Sequence, residues 1–165
     1  MDGCEIISNG VYSKIDKING HGSYSTIHVA GGSTFTIKNT TIKENGSADY
    51  RDDVRPDQTG NYCSLIRVKD SSQLTLDACT ITENLSNHYI LDVAYGNNYI
   101  LNTTIKDNVA SVFSGHNAEF TNCTFNHNFA QNGGAIYYGS AVNCTFNSNS
   151  ADYGGAMFYG SAVNC

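Results

Sequence analysis

Asp49, Asp52, Asp53 and Asp57 crowd into a short stretch that also holds Tyr50, Arg51, Arg55 and the chain's only proline, Pro56. Carboxylates held across one bond can cleave glycosides, and carboxylates gathered in a loop can hold calcium. The spacing here is that of neither a defined calcium loop nor two opposed catalytic acids. A solvated loop, or a recognition loop without metal, is the reading it supports. Tyr137 and Phe158 recur one repeat apart, as do Tyr138 and Tyr159. One of these pairs would form an outward aromatic stripe if its neighbour faces in. Such a stripe could stack on sugars or bind protein, although packing across strands explains it as well. His28, Arg67 and Asp92 fall on the third strand of their coils and could face outward, with no carboxylate cluster beside them. The six cysteines include no Cys-x-x-Cys and the five histidines are scattered, so neither a metal site nor a cofactor is expected.

The elements that position these residues follow from composition and repetition. Of 165 residues, 20 are Asn, 16 Gly and one Pro, and only 15% are charged. Asn and Gly at this level disfavour helix interiors, while 40% apolar and 11% aromatic content suffices for a core. A net charge of −6 gives no footprint for nucleic acid. No apolar run is long enough to span a membrane as a helix. The first residues, Met1 to Cys4, lack the basic and apolar regions of a leader.

Self-similarity is clearest in residues 120–165. Asn122-Cys123-Thr124-Phe125 recurs as Asn143-Cys144-Thr145-Phe146, and Asn164-Cys165 opens a third copy. Upstream, an apolar residue followed three positions later by Asn marks Ile42/Asn45, Ile81/Asn84, Ile105/Asn108, Phe125/Asn128 and Phe146/Asn149. Two residues before each apolar member stand Thr40, Cys79, Thr103, Cys123 and Cys144. Five before it stand Ile37, Leu76, Ile100, Phe120 and Ala141. A unit of about 21 residues suits one solenoid coil of short strands and tight turns, not a helical pair or a propeller blade. The expectation is an all-β chain, a right-handed parallel β-helix, as a single-stranded solenoid of about six coils. Residues 1–165 then form one domain: a lead-in at 1–24, an inserted loop at 46–61, and the most regular repeats at 120–165. The stop inside a motif at Cys165 suggests a piece of a larger protein with further coils.

Stacking gives the columns their chemistry. Inward columns want like apolar residues, and turn columns want Asn, which tolerates left-handed backbone and bonds to the Asn above and below. Cys79, Cys123, Cys144 and Cys165 share a column with Thr40 and Thr103. In-register neighbours lie near 4.8 Å apart, beyond the usual Cβ separation of a disulfide. A ladder of buried thiols is expected, with a Cys4–Cys63 pair left open. Asn39, Asn45, Asn84, Asn102, Asn122 and Asn143 begin glycosylation sequons. Most are by-products of repetition, and any that point inward cannot carry a glycan.

Phe125-Asn126-His127-Asn128 and Phe146-Asn147-Ser148-Asn149, alternating with Gly133-Gly134-Ala135-Ile136 and Gly154-Gly155-Ala156-Met157, resemble the FxxN/GGA[ILV] repeats of the polymorphic outer-membrane-protein type. The Asn-Cys-Thr-Phe version is similar to the adhesin-like surface proteins of methanogenic archaea. The close likeness covers residues 120–165; upstream it is to right-handed β-helix domains in general. It implies a non-catalytic, adhesin-like module at the cell surface or outside the cell, attaching to host, microbial or glycan partners, with neither nucleic acid nor a membrane span. The alternative is an enzyme. Gly20-His21-Gly22, Asp52-Asp53 and Arg67-Val68-Lys69 resemble fragments of polygalacturonases, but their order differs and the NTD motif of that family is absent. A pectate lyase-like site built on His28, Arg67 and Asp92 would lack acidic calcium ligands.

Overall fold

The computed structural model describes residues 3–7, 23–45, 62–93, 96–114 and 118–165. The inserted loop at 46–61 and Gly20-His21-Gly22 lie outside the described residues.

The chain runs β1 (Glu5–Ile7), β2 (Ser23–Val29), β3 (Thr34–Lys38), β4 (Thr41–Lys43), β5 (Tyr62–Val68), β6 (Gln73–Asp77), β7 (Thr80–Thr82), β8 (Leu85–Val93) and β9 (Asn98–Leu101). It continues as β10 (Thr104–Lys106), β11 (Val109–Ser114), β12 (Ala118–Thr121), β13 (Thr124–Asn126), β14 (Phe129–Asn132), β15 (Ile136–Val142), β16 (Thr145–Asn147), β17 (Ser150–Tyr153) and β18 (Met157–Val163). Every pairing among the described strands is parallel. The short strands β1, β4, β7, β10, β13 and β16 stack as one narrow wall. The longer strands form a folded sheet in which β15 pairs with both β11 and β12, joining the other two walls. This is a right-handed parallel β-helix. Its regular body amounts to about four turns, slightly fewer than the six coils expected. The lead-in is not wholly outside the solenoid: Glu5–Ile7 pairs with Thr41–Lys43 as the first rung.

Register is what the repeat dictates. Ile42, Ile81, Ile105, Phe125 and Phe146 align rung on rung, and the first four are fully buried. The second column, Ile37, Leu76, Ile100, Phe120 and Ala141, is equally dry. The large Phe120 is answered by the small Ala141 above it and packs edge-on against Phe125, with ring centroids 5.2 Å apart. Phe125 in turn stacks on Phe146 at 4.9 Å.

Asn forms two ladders of opposite character. Asn45, Asn84, Asn108 and Asn128 are buried. Each Oδ1 in the series Asn84, Asn108, Asn128, Asn149 accepts the backbone N–H of the Asn one rung earlier, at 3.0–3.2 Å. Each Nδ2 in that series donates to the carbonyl of the preceding rung's apolar residue: Ile42, Ile81, Ile105 or Phe125, all at 3.0 Å. The left-handed residue of this turn is not the Asn but the one before it: Glu44, Glu83, Asp107, His127 and Ser148, with φ between 52° and 56°. The other column, Asn39, Asn102, Asn122, Asn143 and Asn164, is left-handed itself and exposed. Its amides bond along the outside at 3.2–3.4 Å. The sequon residues divide between the two ladders. Asn45 and Asn84 are sealed in the core, whereas Asn39, Asn102, Asn122 and Asn143 face solvent, because a left-handed bend turns the side chain away from the wall.

Candidate functional site

Tyr138 and Tyr159 decide the geometry of the aromatic surface. Both sit in left-handed backbone, with φ of 59° and 54°. Bulky residues adopt this region only at a cost of about 1–2 kcal/mol each. The kink resets the in-out alternation of β15 and β18. Neither aromatic pair then faces in, contrary to the alternation expected from sequence. Ile136 is the buried residue, and Tyr137, Tyr138 and Phe158 are partly exposed, Tyr159 more so.

All four predicted aromatics consequently meet. Tyr137 stacks on Phe158 at 5.7 Å and Tyr138 on Tyr159 at 5.0 Å. The two stacks meet edge to face, with Tyr137 4.6 Å from Tyr138 and steeply inclined to it. Tyr89 extends the first stack downward at 6.3 Å, and Tyr153 approaches Phe158 at 6.2 Å.

Beside this cluster lies an open groove of about 700 Å³. Its floor is an outward row set by register: Tyr99 pairs with Glu119, Glu119 with Ser140, and Ser140 with Ser161. Tyr138 and Tyr159 form its wall, and Asn97 closes one end of the lining. Gly160 keeps the floor tight, because a Cβ there would stand 2.7 Å from the Gly139 carbonyl oxygen. Loss of water and the adjacent Tyr137 hydroxyl push the Tyr138 phenol above its ordinary range. At neutral pH it is a hydrogen-bond donor. Among the described residues the groove thus offers ring surface, hydroxyls and a single carboxylate, Glu119. Sequence reasoning missed Tyr99, Glu119, Ser140 and Ser161. The signal was present: each stands one residue before a member of the inward column Ile100, Phe120, Ala141, Ala162, and strand alternation turns it outward.

His28, Arg67 and Asp92 fall in one row, continued by Ser114, Tyr137 and Phe158. His28 is exposed. Arg67 and Asp92 are not the exposed polar residues expected: their side chains are 11% and 13% accessible, and Arg67 Nε lies 3.1 Å from Asp92 Oδ2. The contact is an ion pair without hydrogen-bond alignment, as Nε and Nη1 are buried and make no hydrogen bond. Replacing Asp92 by Ala leaves a shielded guanidinium beside apolar surface, and a loss of about 2 kcal/mol is expected in urea denaturation. A double Arg67→Met, Asp92→Leu variant recovers most of it. A single-variant loss within about 0.5 kcal/mol, the range of ordinary surface sites, would show the pair to be inert.

The other predicted binding residues, Asp49, Tyr50, Arg51, Asp52, Asp53, Arg55 and Asp57, lie outside the described residues. Among the described residues no group of three or more His, Cys, Asp or Glu side chains is placed to hold a metal. Cys79, Cys123, Cys144 and Cys165 are in no disulfide, and the side chain of Cys63 lies outside the described residues.

A family model described as a right-handed beta helix region matches residues 2–151. No curated protein and no solved structure matches the chain.

Proposed function

The chain belongs to the right-handed beta-helix family, and on that premise we propose that it is a non-catalytic, adhesin-like binding module that holds glycans along the Tyr99–Tyr138–Tyr159 groove. The observation that carries this reading is the pair of left-handed tyrosines. Backbone strain is maintained at Tyr138 and Tyr159, and its effect is to bring two more rings to the surface beside hydroxyl-bearing Ser140 and Ser161. Ring faces and edges take the apolar side of a sugar, and hydroxyls with one carboxylate take its polar rim. Glycoside cleavage uses two opposed carboxylates, and among the described residues the groove lining holds only Glu119. The resemblance of residues 120–165 to surface-displayed repeats supports a place on the cell surface or outside the cell, with host or microbial glycans as partners.

The second reading is a carbohydrate-active enzyme. It draws on the Arg67–Asp92 pair, in one row with His28 on the same sheet.

The test is glycan-array binding followed by calorimetry on the best oligosaccharide, with product analysis on a polyuronate panel. Binding without turnover is expected. Tyr159→Ala should weaken it about fivefold, since a stacked ring contributes on the order of 1 kcal/mol. Turnover releasing an unsaturated product, or affinity indifferent to Tyr138→Ala and Tyr159→Ala, would overturn the proposal.

A further inference from the structure

Cys123, Cys144 and Cys165 occupy one column on three successive rungs, and their sulfurs are tied to one another through the backbone. The Cys123 N–H donates to Cys144 Sγ at 3.4 Å, and the Cys144 N–H donates to Cys165 Sγ at 3.4 Å. Each thiol also lies close to two carbonyl oxygens. Cys123 Sγ is 3.2 Å from Ile100 O and 3.4 Å from Thr121 O, while Cys144 Sγ is 3.4 Å from Phe120 O and 3.3 Å from Val142 O. Cys123 and Cys144 are buried.

We propose that this column is a binding site for a monovalent, thiophilic d10 cation of the copper(I) class, held linearly between the sulfurs of Cys123 and Cys144, with Cys144 and Cys165 forming an equivalent second gap. Three physical features converge on it. The first is distance. Stacked parallel rungs stand about 4.8 Å apart, which is too far for the roughly 2.05 Å bond of a disulfide without pulling the coils together. A metal–thiolate bond is about 2.3 Å, so two of them end to end span about 4.6 Å, close to one rung. The second is ligand chemistry. Thiolate sulfur in a dry site selects soft ions, and a two-coordinate ion needs only the two sulfurs that one gap supplies. The third is charge. Binding breaks both S–H bonds and releases two protons, forming two metal–sulfur bonds and leaving one net negative charge. The N–H groups of Cys123 and Cys144 point at sulfurs of the column and offset part of that charge.

Cys79 provides the internal control. It occupies the same column, but its neighbours are Thr40 and Thr103, and its N–H donates to Thr103 Oγ1 at 3.3 Å. It has no second sulfur one rung away, and burial pushes its thiol up. Threonine at Thr40 and Thr103 likewise shows that a hydroxyl fits this column, so Cys→Ser variants keep the fold.

The experiment is anaerobic titration of the reduced chain with silver(I), and with copper(I) as its acetonitrile complex, in a Cys4→Ser, Cys63→Ser background. Ultraviolet charge-transfer absorption, native mass spectrometry and proton release are followed together. The expected result is one tightly held ion with two protons released, and a second ion in the gap beyond Cys144 releasing only the Cys165 proton, because the two gaps share Cys144. Cys144→Ser should lower affinity at least 100-fold, because it breaks both gaps, and Cys79→Ser should change it less than twofold. Equal losses from Cys79→Ser and Cys144→Ser would overturn the site, as would binding without a charge-transfer band. Circular dichroism of each variant separates loss of ligand from loss of fold.

Discussion

Asn108→Ala is expected to lower the unfolding free energy by about 4 kcal/mol, one of the two largest effects of any single change here. Asn108 is fully buried at the centre of the inner ladder. Its Nδ2 donates to the carbonyls of Ile81 at 3.0 Å and Lys106 at 2.9 Å, and to Asn128 Oδ1 at 3.0 Å. Its Oδ1 receives the backbone N–H and the Nδ2 of Asn84, each at 3.0 Å. Truncation orphans the Asn84 N–H and takes a donor from the Ile81 carbonyl, whereas Asn84 Nδ2 keeps Ile42 O and Thr82 O, Asn128 Oδ1 keeps the N–H of residue 108, and Lys106 O keeps the Glu83 N–H. Each such group costs about 1–3 kcal/mol when water cannot reach it. The midpoint of urea denaturation measures the loss. Asn108→Asp adds a sign test. It keeps the acceptor and the shape but removes both amide hydrogens and buries a carboxylate. Desolvation raises its folded pKa above the unfolded value of about 3.9. The variant's stability should therefore be highest at low pH and fall as pH rises through that folded value. The exposed ladder is the contrast. Asn122→Ala should cost only about 1 kcal/mol, because water replaces its outer bonds and Ala78 already holds the same left-handed position at φ 52°. Similar losses at Asn108 and Asn122 would refute the distinction between the ladders.

Gly134→Ala is expected to be as damaging, for a steric reason. A Cβ at Gly134 would stand 2.1 Å from the Gly155 carbonyl oxygen and 2.8 Å from that of Ser150. Both belong to the next coil's backbone, which cannot swing aside as a side chain would. Relief requires parting the coils where the Gly133 N–H donates to Tyr153 O at 2.8 Å and the Gly134 N–H to Gly154 O at 3.1 Å. Overpacking against fixed backbone costs about 3 kcal/mol or more. Hydrogen exchange should show the amides of β17 and β18 losing protection first. Gly155→Ala meets its nearest atom, Asn149 O, at 3.0 Å, and about 1 kcal/mol is expected there. If both variants unfold at one midpoint, the close approach is not what the second glycine of the motif provides.

The sequence made the columns legible because in-register stacking copies each position onto itself. Ile42, Ile81, Ile105 and Phe125 could be aligned before any coordinate, as could the Cys and Asn columns. The thiol ladder was read from spacing alone, since rung distance and disulfide geometry are both fixed quantities. What escaped was backbone sign. Nothing in Glu44, Glu83, Asp107 or His127 announces left-handed φ; these residues accept it because the following Asn locks the turn from inside. The same blindness hid the aromatic cluster. Strand alternation sends one of Tyr137 and Tyr138 inward, and only the kink at Tyr138 keeps both outside. Strands β14 and β17 were also missed, as Phe129–Asn132 and Ser150–Tyr153 carry no alternation strong enough to mark them. Arg67 and Asp92 looked like surface residues because sequence gives position on a strand but not what shields it.

In-register stacking also bears on how such a chain changes over generations. The surface that one coil offers to the next is nearly the surface that it receives from the one before: Ser140 meets Ser161 and Ala141 meets Ala162, as Val142 meets Val163. A duplicated coil inserted between any two neighbours finds both of its faces already matched. Unequal recombination within the 21-residue repeat can then lengthen or shorten the solenoid without redesigning a core. The near-identical coils at 133–142 and 154–163 are the imprint expected of a recent duplication, and the Asn and Cys columns are what such an event carries along intact.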